Sequence, residues 1–167
     1  MRTVLWRPMT DADLPAVLAV AGVVHPAYPE DEAVFAERLR LFPAGCLVLA
    51  GPGGLRGYVV SHPWRPGQPP ALNSLLGGIP MDAASYYIHD LALLPDVRGA
   101  GAAGRIVDRL VVLARSEGLA GLALVAVNAS RGFWERHGFR VAHDPALAEK
   151  LGSYDDAARY MVRDLTS

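Results

Sequence analysis

Apolar and polar positions change their spacing several times along the chain, and each change marks an element. Val4-Leu5-Trp6 reads as a short first strand. Thr10-Asp11-Ala12-Asp13 puts a capping hydroxyl and acids ahead of Leu14, Val17, Leu18 and Ala21, which recur at helical spacing. Pro15 removes one donor from that first turn and is expected to distort it. His25-Pro26-Ala27-Tyr28-Pro29 breaks the pattern. A second helix is predicted from about Asp31 to Phe42, closed by Pro43 and Gly45. Cys46–Ala50 and Gly57–Ser61 read as strands around Gly51-Pro52-Gly53-Gly54, a hairpin signature.

From His62 to Ser85 the pattern is lost. Five prolines (63, 66, 69, 70, 80) and three glycines (67, 77, 78) argue against a regular helix or a central strand there. A loop of that length is either a passive insertion or a functional segment. Tyr86–Leu94 is predicted as a strand ended by Pro95. A helix follows the small-residue segment Arg98–Gly104, with Ile106, Val107, Leu110, Leu113 and Ala114 on its apolar face and Gly118 at its C-terminus. Leu122–Val127 is nearly continuously apolar, the pattern of a strand covered on both faces. A short helix from about Ser130 to His137 precedes two last strands, Phe139–His143 and Tyr160–Leu165, which an irregular or partly helical stretch separates. This order is that of a mixed α/β (α+β) fold.

Composition narrows the class. The 167 residues fit one domain on a prior of roughly 100–200 residues each, and at this size a folded chain buries roughly 70% of its unfolded surface. Apolar residues make up 51% and charged residues 20%, a globular balance. Sixteen basic against seventeen acidic residues leave a net charge of −1, so charge points to neither nucleic acid nor a membrane as partner. Cys46 is the only cysteine, which excludes an internal disulfide and a thiolate metal cluster. The N-terminus lacks the apolar core of a signal peptide, and no apolar stretch approaches the roughly twenty residues of a membrane span. A cytoplasmic protein, monomeric or homodimeric, is expected.

Chemistry concentrates in Leu91-Ala92-Leu93-Leu94-Pro95-Asp96-Val97-Arg98-Gly99-Ala100-Gly101-Ala102-Ala103-Gly104-Arg105, where a strand feeds a glycine-rich turn and the turn feeds a helix. Small residues let backbone N–H groups approach a ligand, and the helix N-terminus adds partial positive charge, an arrangement that binds phosphate. Arg98 adds a charged fork. A Walker A loop is excluded, because Lys150 is the only lysine. A dinucleotide fold would place its glycine turn after the first strand.

Arg98-Gly99-Ala100-Gly101-Ala102-Ala103 resembles the Arg/Gln-x-x-Gly-x-Gly/Ala signature of the GNAT acyltransferase superfamily. Asn128-Ala129-Ser130-Arg131-Gly132-Phe133-Trp134-Glu135-Arg136-His137-Gly138-Phe139 resembles its second motif. Trp6–Leu14 and Tyr160–Leu165 resemble its opening strand and helix and its last strand, so the likeness spans nearly the whole chain. It implies one acyl-CoA-dependent N-acetyltransferase domain over 1–167, with a central twisted mixed sheet of about six to seven strands flanked by about four helices. It also implies acetyl-CoA as co-substrate, with a small-molecule or peptide amine as acceptor. The backbone of Leu91, Ala92 and Leu93 would hold the pantetheine arm, and an amide there would polarise the thioester. The amides of Gly99, Ala100, Gly101, Ala102, Ala103 and Gly104 would hold the pyrophosphate beside Arg98, with Asn128 near the cofactor.

An amine acceptor must lose a proton before it attacks, so a base is sought beside the cofactor strand. Alternation along Tyr86–Leu94 places Tyr87, His89, Leu91 and Leu93 on one face and Ile88, Asp90, Ala92 and Leu94 on the other. His89, nine residues before Arg98, is the candidate base, acting directly or through a water, and Asp90 is the alternative. Trp134 stands where many relatives have a tyrosine that protonates the leaving thiolate, and it reads as a packing residue. Tyr86, Tyr87 or Tyr154 could substitute, or water could supply that proton. Pro29-Glu30-Asp31-Glu32 reads as acids at a helix start, favoured by the dipole, or as negative charge for a cationic acceptor. His25, Tyr28, Trp64 and the Pro63–Pro80 loop are expected around the acceptor mouth. His62, His137 and His143 show no metal-ligand spacing, and no metal is expected. A non-catalytic acyl-CoA binding or sensing module is the alternative function.

Overall fold

The computed structural model describes residues 3–127, 130–151, 154 and 157–165. Its strands are β1 (Leu5–Pro8), β2 (Cys46–Gly51), β3 (Gly54–Trp64), β4 (Ser85–Leu93), β5 (Gly121–Ala126), β6 (Arg140–Val141) and β7 (Arg159–Asp164). They form one mixed sheet in the order β1-β2-β3-β4-β5-β7-β6. Every neighbouring pair is antiparallel except β4 and β5. The helices are α1 (Leu14–Val24), α2 (Glu32–Leu41), α3 (Ala102–Ser116), α4 (Arg131–Arg136) and α5 (Pro145–Lys150). The fifth lies in the stretch that the sequence reading treats as irregular or partly helical.

The sheet is covered on both faces. Ile106 and Leu110 of α3 and Trp134 of α4 pack with Leu47, Ile88, Leu122 and Leu124 on one side. Val17 of α1 and Phe35 of α2 pack with Val48, Tyr58, Val60 and Ala92 on the other. β5 is buried from both sides, as its apolar run predicts. Cys46 at the start of β2 has no exposed surface, and burial pushes its thiol up to about 12.

Three local expectations change. Pro15 leaves α1 regular, because at the second helical position its missing N–H is one that the helix start does not pair. β3 runs on through Pro63 to Trp64, past the predicted end at Ser61. Beyond Val60 it has outrun β2 and pairs only with β4, so Pro63 sits where a ladder donor has no second neighbour to serve. The strand predicted at Phe139–His143 shortens to Arg140–Val141, and Phe139 packs against Trp134 in the core instead.

β4 carries the feature that shapes the site. Val60 opposes Asp90 and Ser61 opposes Ile88, so His89 is an extra residue, a β-bulge. The bulge resets the alternation. Tyr86, Ile88 and Leu91 share the α3 core, while Ala92 lies in the α1/α2 core. Strict alternation puts His89 with Leu91 and Leu93, apart from Asp90; with one residue inserted, His89 and Asp90 both turn toward the α1/α2 side. The parallel pairing of β4 with β5 also stops here: it covers only Tyr86, Tyr87 and Ile88 against Leu122, Ala123 and Leu124.

Among the described residues, no helix is long and apolar enough to cross a membrane. Because α3 is buried on one side only, the cost of truncation should follow the face. Ile106→Ala, at a site with no exposed surface, is expected to lose about 2–5 kcal/mol in urea unfolding. Val112→Ala, at a site 65% exposed, should stay within about 0.5 kcal/mol of the unmodified protein. Similar losses at both positions would contradict this packing.

Candidate active site

Where β4 and β5 stop pairing, a cleft of about 580 Å³ opens between them. It reaches from Arg98, Gly99 and Ala103 on the α3 side to His25, Tyr28 and Leu72 on the α1/α2 side, and passes His89, Asp90, Leu91 and Leu93.

The open edge of β4 supplies backbone groups. Leu94 donates its N–H to Arg56 of β3 at 2.8 Å. Peptide groups alternate sides along a strand, so those of Leu91 and Leu93 turn the other way, toward the gap. The Leu93 carbonyl accordingly accepts from Arg98 Nε at 3.0 Å. Ala92 is turned inward, with its side chain buried beneath α1 and α2, and is not part of the cleft wall.

Past the strand, a 3-10 turn (Pro95–Val97) leads to Gly99 and Gly101, both left-handed at φ +83° and +84°. Glycine adopts that backbone without a side-chain penalty, and Gly101 there starts α3. The first intrahelical bond runs from Arg105 N–H to Gly101 O, so the helix itself does not use the amides of Ala102, Ala103 and Gly104. No side chain caps them and no acid occupies the first turn. An anion suits such an end. Gly99 and Ala103 face the cleft. Ala100 accepts from Arg105 Nη1 at 3.2 Å, and the Ala102 side chain is buried with Leu49, Leu93 and Val97. Gly104 lies one turn in, where an added Cβ would meet His137 at 3.6 Å. Asn128 lies outside the described residues.

Two histidine–carboxylate pairs stand on the other side of the gap. His89 Nε2 is 2.7 Å from Glu30 Oε1, with both side chains almost fully buried. His89 Nδ1 has no hydrogen-bond partner. Asp90 Oδ1 is 2.9 Å from His25 Nε2, and its Oδ2 accepts the Tyr58 hydroxyl. Glu30 Oε2 accepts the Asn73 N–H at 2.9 Å, so all four carboxylate oxygens are engaged. Burial drives the Glu30 carboxyl up, but His89, the Asn73 amide and Arg38 outweigh it and leave its pKa lowered. Burial likewise drives His25 down, and Asp90, the Leu91 backbone and Glu30 more than restore it, so its pKa is raised.

Glu30 and the pairing of His25 with Asp90 are what sequence reasoning missed. Glu30 carried a generic explanation as an acid before a helix, and His25 was expected only at the mouth. Trp64 is not at the cleft: it packs edge-on against His62 and donates to Gln68 O at 2.8 Å. Trp134 is buried, edge-on to Phe133 and Phe139, and lines the cleft as a packing residue. Of the three tyrosines considered as proton donors, Tyr154 alone reaches the cleft wall; burial and the Glu30 charge push it up to about 12. Tyr86 is sealed in the core against Ser61 Oγ at 2.7 Å.

A family model for the acetyltransferase (GNAT) family matches residues 6–139. The chain belongs to this family. Solved structures share its fold at low identity. The GphF GNAT-like decarboxylase in complex with isobutyryl-CoA is 18% identical, with a TM-score of 0.79 over 97% of this chain and 100% of that one. The ribosomal-protein-S18-alanine N-acetyltransferase from Escherichia coli is 17% identical, with a TM-score of 0.65 over 100% and 96%. Arabidopsis thaliana Naa50, in complex with the bisubstrate analogue CoA-Ac-MVNAL, is 12% identical, with a TM-score of 0.71 over 97% and 99%. A sequence search of curated proteins finds no match. Among the described residues of this GNAT chain, no group of three or more His, Cys, Asp and Glu side chains is arranged to hold a metal.

The raised pKa of His25 gives the fold a pH signature. A histidine whose folded pKa exceeds its unfolded value of about 6.5 stabilises the fold below that pH, and the contribution disappears as pH rises through the folded value. The stability gap between the unmodified protein and His25→Asn, from urea unfolding, should therefore be larger at about pH 5.5 than at about pH 9. A gap that does not shrink would mean that Asp90 does not hold a protonated ring.

Proposed function

We propose that the chain, as one domain over 1–167, is an acetyl-CoA-dependent N-acetyltransferase acting on a primary amine of a small molecule or peptide. The observation that carries the reading is the meeting, in one cleft, of three things: outward-facing Leu91 and Leu93 peptides, the uncapped start of α3, and an imidazole with one nitrogen unengaged.

The α3 end suits the pyrophosphate. The amides of Ala102, Ala103 and Gly104 donate to its oxygens, left-handed Gly99 and Gly101 keep side chains clear, and Arg98 and Arg136 on the cleft wall add charge. The Leu91 and Leu93 peptides suit the amides of the pantetheine arm, which runs along β4 as an extra strand would. The Leu91 N–H then faces the thioester oxygen, where negative charge develops as the amine adds; one fixed donor of this kind is worth about 10²–10³ in rate.

His89 is the base. With Nε2–H directed at Glu30, the lone pair of Nδ1, itself buried and without a protein partner, takes up through a water the proton that the amine releases. The new bond joins the amine nitrogen to the acyl carbon, the carbon–sulfur bond breaks, and coenzyme A leaves as its thiolate. A thiol of pKa about 8.5 leaves readily in that form, so water supplies its proton and Trp134 has none to give. Asp90, with both oxygens engaged, holds His25 and is not the base in this reading.

Two variants test the assignment. Ala103→Glu puts an acid in the first turn of α3, which favours the helix by about 0.3–1 kcal/mol and repels phosphate. Acetyl-CoA affinity by calorimetry should fall at least about tenfold, or roughly 1.4 kcal/mol, with no loss of thermal stability; unchanged affinity would remove the turn from the site. His89→Gln keeps a donor toward Glu30 and lacks the basic nitrogen. It should lower kcat by about 10²–10⁴ in a thiol-release assay with acetyl-CoA and a panel of amines, with acetyl-CoA affinity intact. Cofactor binding with no turnover on any amine, in the unmodified protein, would favour the binding-module alternative.

A further inference from the structure

The loop from Arg65 to Ala84 contains no helix or strand, yet α2 and the residues before it grip it along one side. The Asn73 N–H donates to Glu30 Oε2 at 2.9 Å, and Asn73 Oδ1 accepts the Asp31 N–H at 2.8 Å. Arg38 Nη1 donates to Ser74 O at 2.7 Å. The two Glu37 oxygens accept the N–H groups of Leu76 and Gly77 at 2.6 and 3.0 Å. Glu37 and Arg38 are both buried, so their bonds to the loop are not screened surface contacts, whereas the Asn73 bonds lie at the surface. The strap is fixed at its centre by Asn73, which is left-handed at φ +55° and is the only non-glycine residue with positive φ among the described residues. A strained backbone persists where its surroundings over-determine it, and such positions cluster at functional sites.

The far end of this chain of contacts is the imidazole. Glu30 spends one oxygen on Asn73 and the other on His89 Nε2, so the loop fixes the carboxylate and the carboxylate fixes the ring. A carboxylate that accepts from one ring nitrogen decides which nitrogen carries the proton and leaves the other as a lone pair. We infer that Glu30 is the positioning residue for His89, and that the 65–84 loop holds Glu30 through Asn73 as a working part of the active site. Leu72, next to Asn73, lines the same cleft, so the segment that orients the base also forms part of the acceptor wall. The inference rests on the transferase reading only where turnover is the readout.

A double-mutant cycle with a spectroscopic arm tests it. Glu30→Gln preserves shape and removes the charge. Asn73→Gly tolerates the left-handed backbone, keeps the N–H, and removes the side-chain bonds to Asp31. In the unmodified protein, ring nitrogen-15 shifts should show His89 protonated at Nε2. Glu30→Gln should populate the other tautomer, lower kcat tenfold or more and leave acetyl-CoA affinity unchanged. Asn73→Gly should lower kcat severalfold, and the double variant should lose no more than Glu30→Gln alone, because both act on one ring. A protonated Nδ1 in the unmodified protein, an unaltered tautomer in Glu30→Gln, or fully additive losses would overturn the inference. The tautomer arm needs no turnover, so it stands or falls separately from the transferase assignment.

Discussion

One extra residue in β4 is the constraint on which the site depends. Without the bulge at His89, the strand would keep period two and continue in register with its neighbours, and the sheet would have no gap at its centre. With it, consecutive titratable side chains, His89 and Asp90, turn toward the same face, and the next peptide, Leu91, faces the opening. Each carboxylate pair depends on that local geometry. Asp90 ties the bulge to Tyr58 of β3 and to His25 at the end of α1, while His89 reaches Glu30 ahead of α2. A bulge is a local defect in a ladder, and here side chains from three neighbouring segments hold it in place.

The two halves of the cleft solve different electrostatic problems. The α3 end offers unsatisfied donors and two arginines, and it has no acid in its first turn; its potential suits a polyanion. The α1/α2 end contains acids, but every carboxylate oxygen there is committed to a histidine, a tyrosine or a backbone amide. Buried charge is costly unless paired, and pairing it internally leaves a cleft wall lined by the imidazoles of His25 and His89 with no carboxylate oxygen unengaged.

Most of the fold was legible because its signals are local. The helical spacing of Ile106, Val107, Leu110 and Ala114, the apolar run of β5 and the glycines around α3 each follow from rules that need no tertiary information. The bulge was not legible: the residues of β4 alternate correctly on paper, and nothing in Tyr87-Ile88-His89-Asp90 says where an extra residue enters. Glu30 was hidden for a different reason, since acids before a helix have a sufficient explanation in the dipole and its partner lies 59 residues away. The Pro63 end of β3 escaped because proline is excluded only from strands paired on both sides, and how far β2 extends cannot be read from β3.

The sealed thiol at the start of β2 has a practical consequence. Thiol reagents attack thiolates, and Cys46 in the folded chain offers neither access nor an ionised sulfur near neutral pH. The folded protein is therefore silent to the chromogenic disulfides that register free thiols. Because the sequence holds a single cysteine, each molecule that opens exposes one titratable sulfur and no more. A colour count on the protein alone becomes a direct census of opened molecules.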